Sequence, residues 1–197
     1  LAVLAEITRL RELCCSPQLL DRGYSGPSGK IKATMNLIKD EMADNHKILL
    51  FSQFTSALAI LKEKLANAGI KYFVIEGKTK KADRLQFVDK FNSYDQPAVF
   101  LISLKAGGTG LNLTSADVVI HFDPWWNIAA ENQATDRAHR IGQKNNVTIY
   151  KMIAQNTIEE KIIEMQQKKA ALANSILSGN ELANAVINKE TLLNILK

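Results

Sequence analysis

Val99-Phe-Leu-Ile-Ser103-Leu-Lys-Ala-Gly-Gly-Thr-Gly-Leu-Asn-Leu113 joins an unbroken apolar run to a loop with glycine at 107, 108 and 110. Apolar residues without polar alternation suit a strand buried on both faces of a parallel sheet. Four more runs read the same way: Ile48 to Phe51, Tyr72 to Ile75, Val118 to Phe122 and Val147 to Ile153. Helical patterns lie between them, at 55–68 closed by Gly69, at 81–92, and at roughly 127–141 closed by Gly142. Glycine just past a last turn is the expected left-handed cap. Strands alternating with helices predict an α/β domain, a parallel sheet covered by helices on both faces. Ligands of such folds sit at the carboxyl ends of the strands.

The glycine loop follows a strand, so its backbone can come close to another molecule, and Lys105, Thr109 and the exposed amides suit phosphates. It is neither of two familiar phosphate loops. A dinucleotide fingerprint starting at Gly108 needs glycine at 113, where Leu113 stands. A P-loop needs Gly-Lys followed by Ser or Thr, and none follows here. Gly29-Lys30 resembles the end of a P-loop, but Ile31 comes next and Tyr24 occupies the place of the first glycine. Asp40-Glu41 resembles a magnesium-holding pair, yet Leu37, Ile38 and Lys39 continue a helical pattern from Ile31. Both are read as surface features. The chain therefore lacks the triphosphate loop and magnesium carboxylates that phosphoryl transfer requires.

Beyond the loop, Val118-Val-Ile-His-Phe-Asp-Pro-Trp-Trp-Asn127 stops a strand at Asp123-Pro124 and follows it with two tryptophans. Trp125 reads as core and Trp126 as an exposed residue at the functional edge, where it can wedge against sugars or bases. In Gln133-Ala-Thr-Asp-Arg137-Ala-His-Arg140-Ile-Gly-Gln143 a helix would set Gln133, Arg137 and Arg140 on one face. Two guanidiniums and an amide make poor core and a good grip on phosphate. A solvated, salt-bridged face is the alternative reading of that stretch alone.

The 197 residues suit one domain with an appendage, and 46% hydrophobic residues support a packed core. The formal net charge of +5 suits a polyanionic partner without requiring one. Cys14 and Cys15 are adjacent, without metal spacing, and read as buried or inert thiols of a reducing compartment. With neither a leader pattern nor a membrane-length apolar run, the chain is expected to be soluble and intracellular. At the start Leu4, Ile7, Leu10, Leu13 and Cys14 have helical spacing, ended by Pro17. The abrupt helical beginning is expected of a piece of a longer protein. The boundaries drawn are a helical lead-in at 1–22, a turn-rich linker at 23–29, the α/β lobe at 30–156 and a helical extension at 157–197.

Taken in order, Lys47 to Thr55, Ser103 to Leu113, Ala116 to Asn127 and Gln133 to Gln143 resemble Swi/Snf-type ATPases, the DNA translocases of helicase superfamily two. The likeness covers residues from about 30 to 165. It implies a RecA-like three-layer domain, the second lobe of a two-lobe motor. It also implies that ATP with magnesium is held mainly by a first lobe lying upstream of Leu1.

On that resemblance Arg137 and Arg140 would be arginine fingers, with Gln133 and Gly110 at the nucleotide. Ser52, Gln53, Lys105, Gly108, Thr109 and Trp126 would meet the backbone of double-stranded DNA. The partners implied are duplex DNA and the first lobe, and the family's members also admit a protein substrate on DNA. Ile128 stands where the family usually has proline, and Glu76-Gly-Lys-Thr79 replaces its usual Asp-Gly-Ser-Thr, while Arg84 keeps its distance from Gly77. Short intervals between motifs suggest a bacterial or archaeal, cytoplasmic and nucleoid-associated protein rather than a nuclear one. Two rivals stay open: a non-catalytic lobe binding DNA or protein, and an RNA helicase lobe, which the paired tryptophans and Ala138-His-Arg-Ile-Gly-Gln143 disfavour.

Overall fold

A computed structural model describes residues 2–107, 111–138, 143 and 145–177, with the backbone alone for Lys105, Gly107 and residues 172–177. The five strands are β1 (Ile48–Ser52), β2 (Tyr72–Ile75), β3 (Val99–Ser103), β4 (Val118–His121) and β5 (Thr148–Lys151), paired in parallel in the order β2-β3-β1-β4-β5. The expected α/β architecture is therefore present. Helices α1 (Ala2–Cys15), α2 (Gly29–Ala43), α3 (Thr55–Asn67), α4 (Lys81–Asn92), α5 (Leu104–Gly107), α6 (Ile128–Thr135) and α7 (Ile158–Leu177) surround the sheet. β1, β3 and β4 are buried along their whole length, which is why they read as unbroken apolar runs.

Successive residues of a strand point to opposite faces. Ile48, Leu50, Val99, Leu101, Val118 and Ile120 join α2 and α3 in one core. Leu49, Phe51, Phe100, Ile102 and Val119 join α4, Leu111, Leu113 and Ala134 in the other. Local chemistry sets the helix ends. Ser28 caps α2 by accepting from Ile31 N, and its hydroxyl donates to Cys15 O at 3.0 Å, tying the turn-rich segment to α1. Gly69 follows α3 at φ 69°, the left-handed conformation expected of it.

Four expectations need correction. β5 is shorter than the run Val147 to Ile153 and largely exposed, because among the described residues it is an edge strand, paired with β4 alone. α6 ends at Thr135 and Asp136–Ala138 form a turn, so the helix does not reach Arg137; residues 139–142 lie outside the described residues. α1 buries Ile7, Arg11 and Cys15, while Leu4, Leu10 and Leu13 face outward, so a polar residue rather than the apolar stripe sets its rotation. Both cysteines are free.

The fourth correction concerns Lys30, which is no surface feature. Its ammonium is buried and pairs with Glu159 of α7. It also donates to Met152 O at 2.9 Å and Phe122 O at 3.3 Å, while Glu159 accepts from Ala154 N at 2.8 Å. One ion pair thus joins the start of α2, the end of β4, the segment after β5 and the first turn of α7. Asp40 and Glu41 do lie on helix α2, Asp40 exposed and Glu41 accepting from the Tyr150 hydroxyl at 2.6 Å. Lys30→Met leaves Glu159 as an uncompensated buried charge and is expected to cost about 3–5 kcal/mol, read by urea denaturation. Adding Glu159→Leu is expected to restore most of that loss, because a packed apolar pair replaces a buried ionic one.

Candidate functional site

The carboxyl ends of β1 and β4 meet at a buried carboxylate. Asp123 has no exposed surface. The Ser52 hydroxyl donates to its Oδ1, and Gln53 N lies 3.1 and 3.3 Å from its two oxygens. The Arg11 guanidinium stands 3.5 Å away. Burial pushes the carboxyl up to about 6, against the pull of Ser52, Arg11 and the Gln53 amide. Pro124 then turns the chain, and its carbonyl accepts from Arg11 at 2.8 Å and from the Gln53 side chain at 3.3 Å.

In front of this network lies a cleft of about 430 Å³, lined among others by Arg11, Gln53, Phe54, Leu104, Trp125 and Trp126. It brings together Gln53, Trp126 and the first residue of the glycine loop. Trp125 is buried, as expected. Trp126 is half-buried, packed against Ile7, Ile158 and Ile162 while still lining the cleft. Ser52 departs from expectation: its side chain is fully buried and committed to Asp123, so it shapes the edge from beneath rather than presenting a hydroxyl outward.

The glycine loop leaves β3 as the single turn α5, which carries Lys105. Arg84 braces its start: Nε donates to Thr79 O at 2.8 Å, and the terminal nitrogens reach Gly77 O at 3.0 Å and Ala106 O at 3.5 Å. That explains the kept spacing between Gly77 and Arg84, since one guanidinium ties the turn after β2 to the loop after β3. At the far end Leu113 N donates to Arg137 O at 3.1 Å, joining the loop to the arginine segment.

Gln133 is exposed and Arg137 is buried at 2% exposure, so the two do not share a solvent-facing helical face. Arg140, Gly108, Thr109 and Gly110 lie outside the described residues. Gln143 anchors the segment's end, donating to Ala116 O at 2.7 Å and Ala138 O at 3.2 Å.

α6 is held from behind. Glu131 pairs with Lys151 of β5 at 2.5 Å, and Gln166 of α7 donates to Trp125 O and lies 3.4 Å from Glu131. His121 stacks on Phe51 with ring centres 5.8 Å apart, and its Nε2 lies 3.0 Å from Thr135 Oγ1. Burial pushes His121 down to about 4, with Glu131 opposing. Sequence reasoning missed Arg11, Asp123, Glu131 and Gln143. A signal existed for Arg11: it falls at i+4 between Ile7 and Cys15, a charge on a helix's buried face. Among the described residues no three His, Cys, Asp or Glu side chains converge to hold a metal ion.

Topology and edge geometry together define a RecA-like lobe whose strand-end loops carry a phosphate-suited loop and an arginine segment. The family model for the helicase conserved C-terminal domain matches residues 29–142, and the chain belongs to that family, as a Swi/Snf-type second lobe. An uncharacterized ATP-dependent helicase of Mycoplasma pneumoniae is 45% identical over 175 residues, 89% of this chain and 17% of that protein. The ISWI chromatin-remodeling complex ATPase ISW1 of Saccharomyces cerevisiae is 35% identical over 206 residues, 96% of this chain and 18% of that protein. The solved C-terminal part of the Fun30 ATPase domain superposes with a TM-score of 0.71 at 34% identity, over 95% of this chain and 60% of that one. The chain thus spans less than a fifth of the length of these two relatives.

His121 gives the site a pH signature. Below its ordinary value of 6.5 the unfolded chain takes up a proton that the folded chain refuses until about 4. Its stabilising contribution is therefore lost as pH falls from 6.5 to about 4. The stability difference between this chain and its His121→Gln variant is expected to shrink by roughly 3 kcal/mol across that window, measured by denaturation at successive pH values.

Proposed function

We propose that this chain is the second motor lobe of an ATP-dependent double-stranded DNA translocase. ATP with magnesium is bound mainly by a first RecA-like lobe of the same protein. Arg140 and Arg137 serve the phosphates as arginine fingers, Arg137 from its buried position, with Gln133 on the exposed side of α6 and Gly110 also at the nucleotide. Gln53, Lys105, Gly108, Thr109 and Trp126 follow the backbone of one duplex. The single observation that carries this reading is the glycine loop's double attachment. Its start is bonded to Arg84 and borders the Gln53–Trp126 cleft, and its end is bonded to Arg137. On this reading the loop joins the DNA-facing half of the edge to the nucleotide-facing half. Closure of the two lobes on ATP moves that loop along the track.

The relatives named as ATP-dependent helicase and chromatin-remodeling ATPase support a role in such a motor. Matches to Mycoplasma helicases at 45% and 44% identity support a bacterial cytoplasmic setting. A protein displaced from or moved along DNA fits the same reading.

The chain alone is expected to show no DNA-dependent ATP turnover. In the protein carrying both lobes, Arg140→Ala is expected to lower DNA-stimulated turnover by ~10³–10⁵ while DNA affinity stays unchanged. Comparable loss of DNA affinity, or turnover by the isolated chain, counts against these roles. Lys105→Ala is expected to reduce the log–log salt slope of duplex binding by roughly one unit, with no dependence on sequence. Stimulation by RNA rather than DNA, or strand separation, favours the RNA helicase reading.

A further inference from the structure

Arg11 lies on α1, before the linker and outside the α/β lobe itself, yet its guanidinium touches both loops that border the cleft. It donates to Pro124 O at 2.8 Å and to Gln53 Oε1 at 3.4 Å, and it faces Asp123 at 3.5 Å. Its guanidinium carbon stands over two rings, 5.3 Å from the centre of Phe54 and 5.9 Å from that of Trp126. A planar fork with several fixed donors meets acceptors on two loops while lying over two rings; an ammonium is a single point charge. The side chain is 4% exposed. A buried arginine is a costly way to dock a helix, and an apolar residue packs there at least as well. Arg9, two residues earlier on the same helix, is exposed, and among the described residues it pairs with Glu6 alone, at 3.6 Å.

We propose that Arg11 is a positioning residue, clamping the loop after β1 to the loop after β4 so that Gln53 and Trp126 are already set to meet duplex DNA. This rests on the DNA track proposed above. The lead-in helix is then part of the motor's DNA-binding surface and not only a tether. Gln53 and Trp126 are long side chains that would otherwise lose rotamer freedom when DNA arrives. Fixing them in advance lowers that cost, so the clamp acts on DNA affinity and leaves the nucleotide alone.

The test uses the protein carrying both lobes and reads the DNA concentration that half-saturates ATPase stimulation, together with KM for ATP and melting temperature. Arg11→Met is combined with Asp123→Asn so that no bare carboxylate is left buried, and Asp123→Asn alone is the reference. Relative to it, the double variant is expected to need about tenfold more DNA, with KM for ATP within about twofold and a melting temperature no lower than the reference, since Asp123→Asn alone leaves the buried guanidinium unpaired. Arg11→Lys is expected to fall between the two, and Arg9→Met to match the unsubstituted protein. Half-saturation equal to the reference overturns the clamp, as does a parallel loss of DNA affinity, ATP KM and melting temperature. Should the double variant not fold, Arg11→Lys decides alone, and an unchanged half-saturation overturns the clamp. If the unsubstituted protein is not stimulated by DNA, the proposed function falls and takes this inference with it. Stimulation in the unsubstituted protein with indifference in the variants removes the inference alone.

Discussion

A carboxylate with no contact to water must find its counter-charge and hydrogen bonds inside the protein, and Asp123 finds them on two segments distant in sequence. Ser52 and Gln53 come from the end of β1 and Arg11 from a helix about 40 residues earlier. Removing any of them leaves a lone pair or a charge facing an apolar core, which is far costlier than losing the net worth of one bond. The arrangement is therefore close to all-or-none. It fixes how β1 ends, how the chain turns at Pro124, and which side of α1 faces inward.

The working edge follows from this constraint together with two others of the same kind. Lys30 and Glu159 close the back of the edge, drawing α7 against the end of β4. Glu131, held by Lys151 and Gln166, places α6 and with it the turn that buries Arg137. Asp123 and Lys151 lie at strand ends, and Lys30, Glu131 and Glu159 lie in first turns of helices, where backbone donors and acceptors have no regular partner. The sheet interior is apolar and interchangeable in kind. The edge is polar and specific, so the chemistry of the lobe rests on groups that contribute little to the core.

What could be read from the sequence, and what could not, follows the same division. The buried strands β1, β3 and β4 were legible because both faces are covered and every residue but the last of each, Ser52, Ser103 and His121, is apolar. β5 was overextended because an edge strand keeps the composition of a strand without its burial. In α1, the run Leu4, Leu10 and Leu13 pointed to the wrong face, since periodicity weighs apolar residues and is blind to a buried arginine. Gly29-Lys30 was recognised as no P-loop, but nothing local marks Lys30 as the partner of a glutamate 129 residues away. The glycine loop, the paired tryptophans and the arginine segment were visible as motifs because their chemistry is carried by contiguous residues. The bonds joining them, through Arg84, Arg137 and Asp123, span long separations and show only in three dimensions.

His121 and Asp123 stand two residues apart at the end of β4, and burial moves them in opposite directions, to about 4 and about 6. Between those values the folded chain holds a proton on Asp123 that the unfolded chain has released, and lacks one on His121 that the unfolded chain has bound. Unfolding through this pair moves a proton from one site to the other and exchanges almost none with the buffer. Mild acidification therefore neutralises the Asp123 carboxyl while the His121 imidazole stays neutral, without a net acid–base penalty on the fold from these two groups.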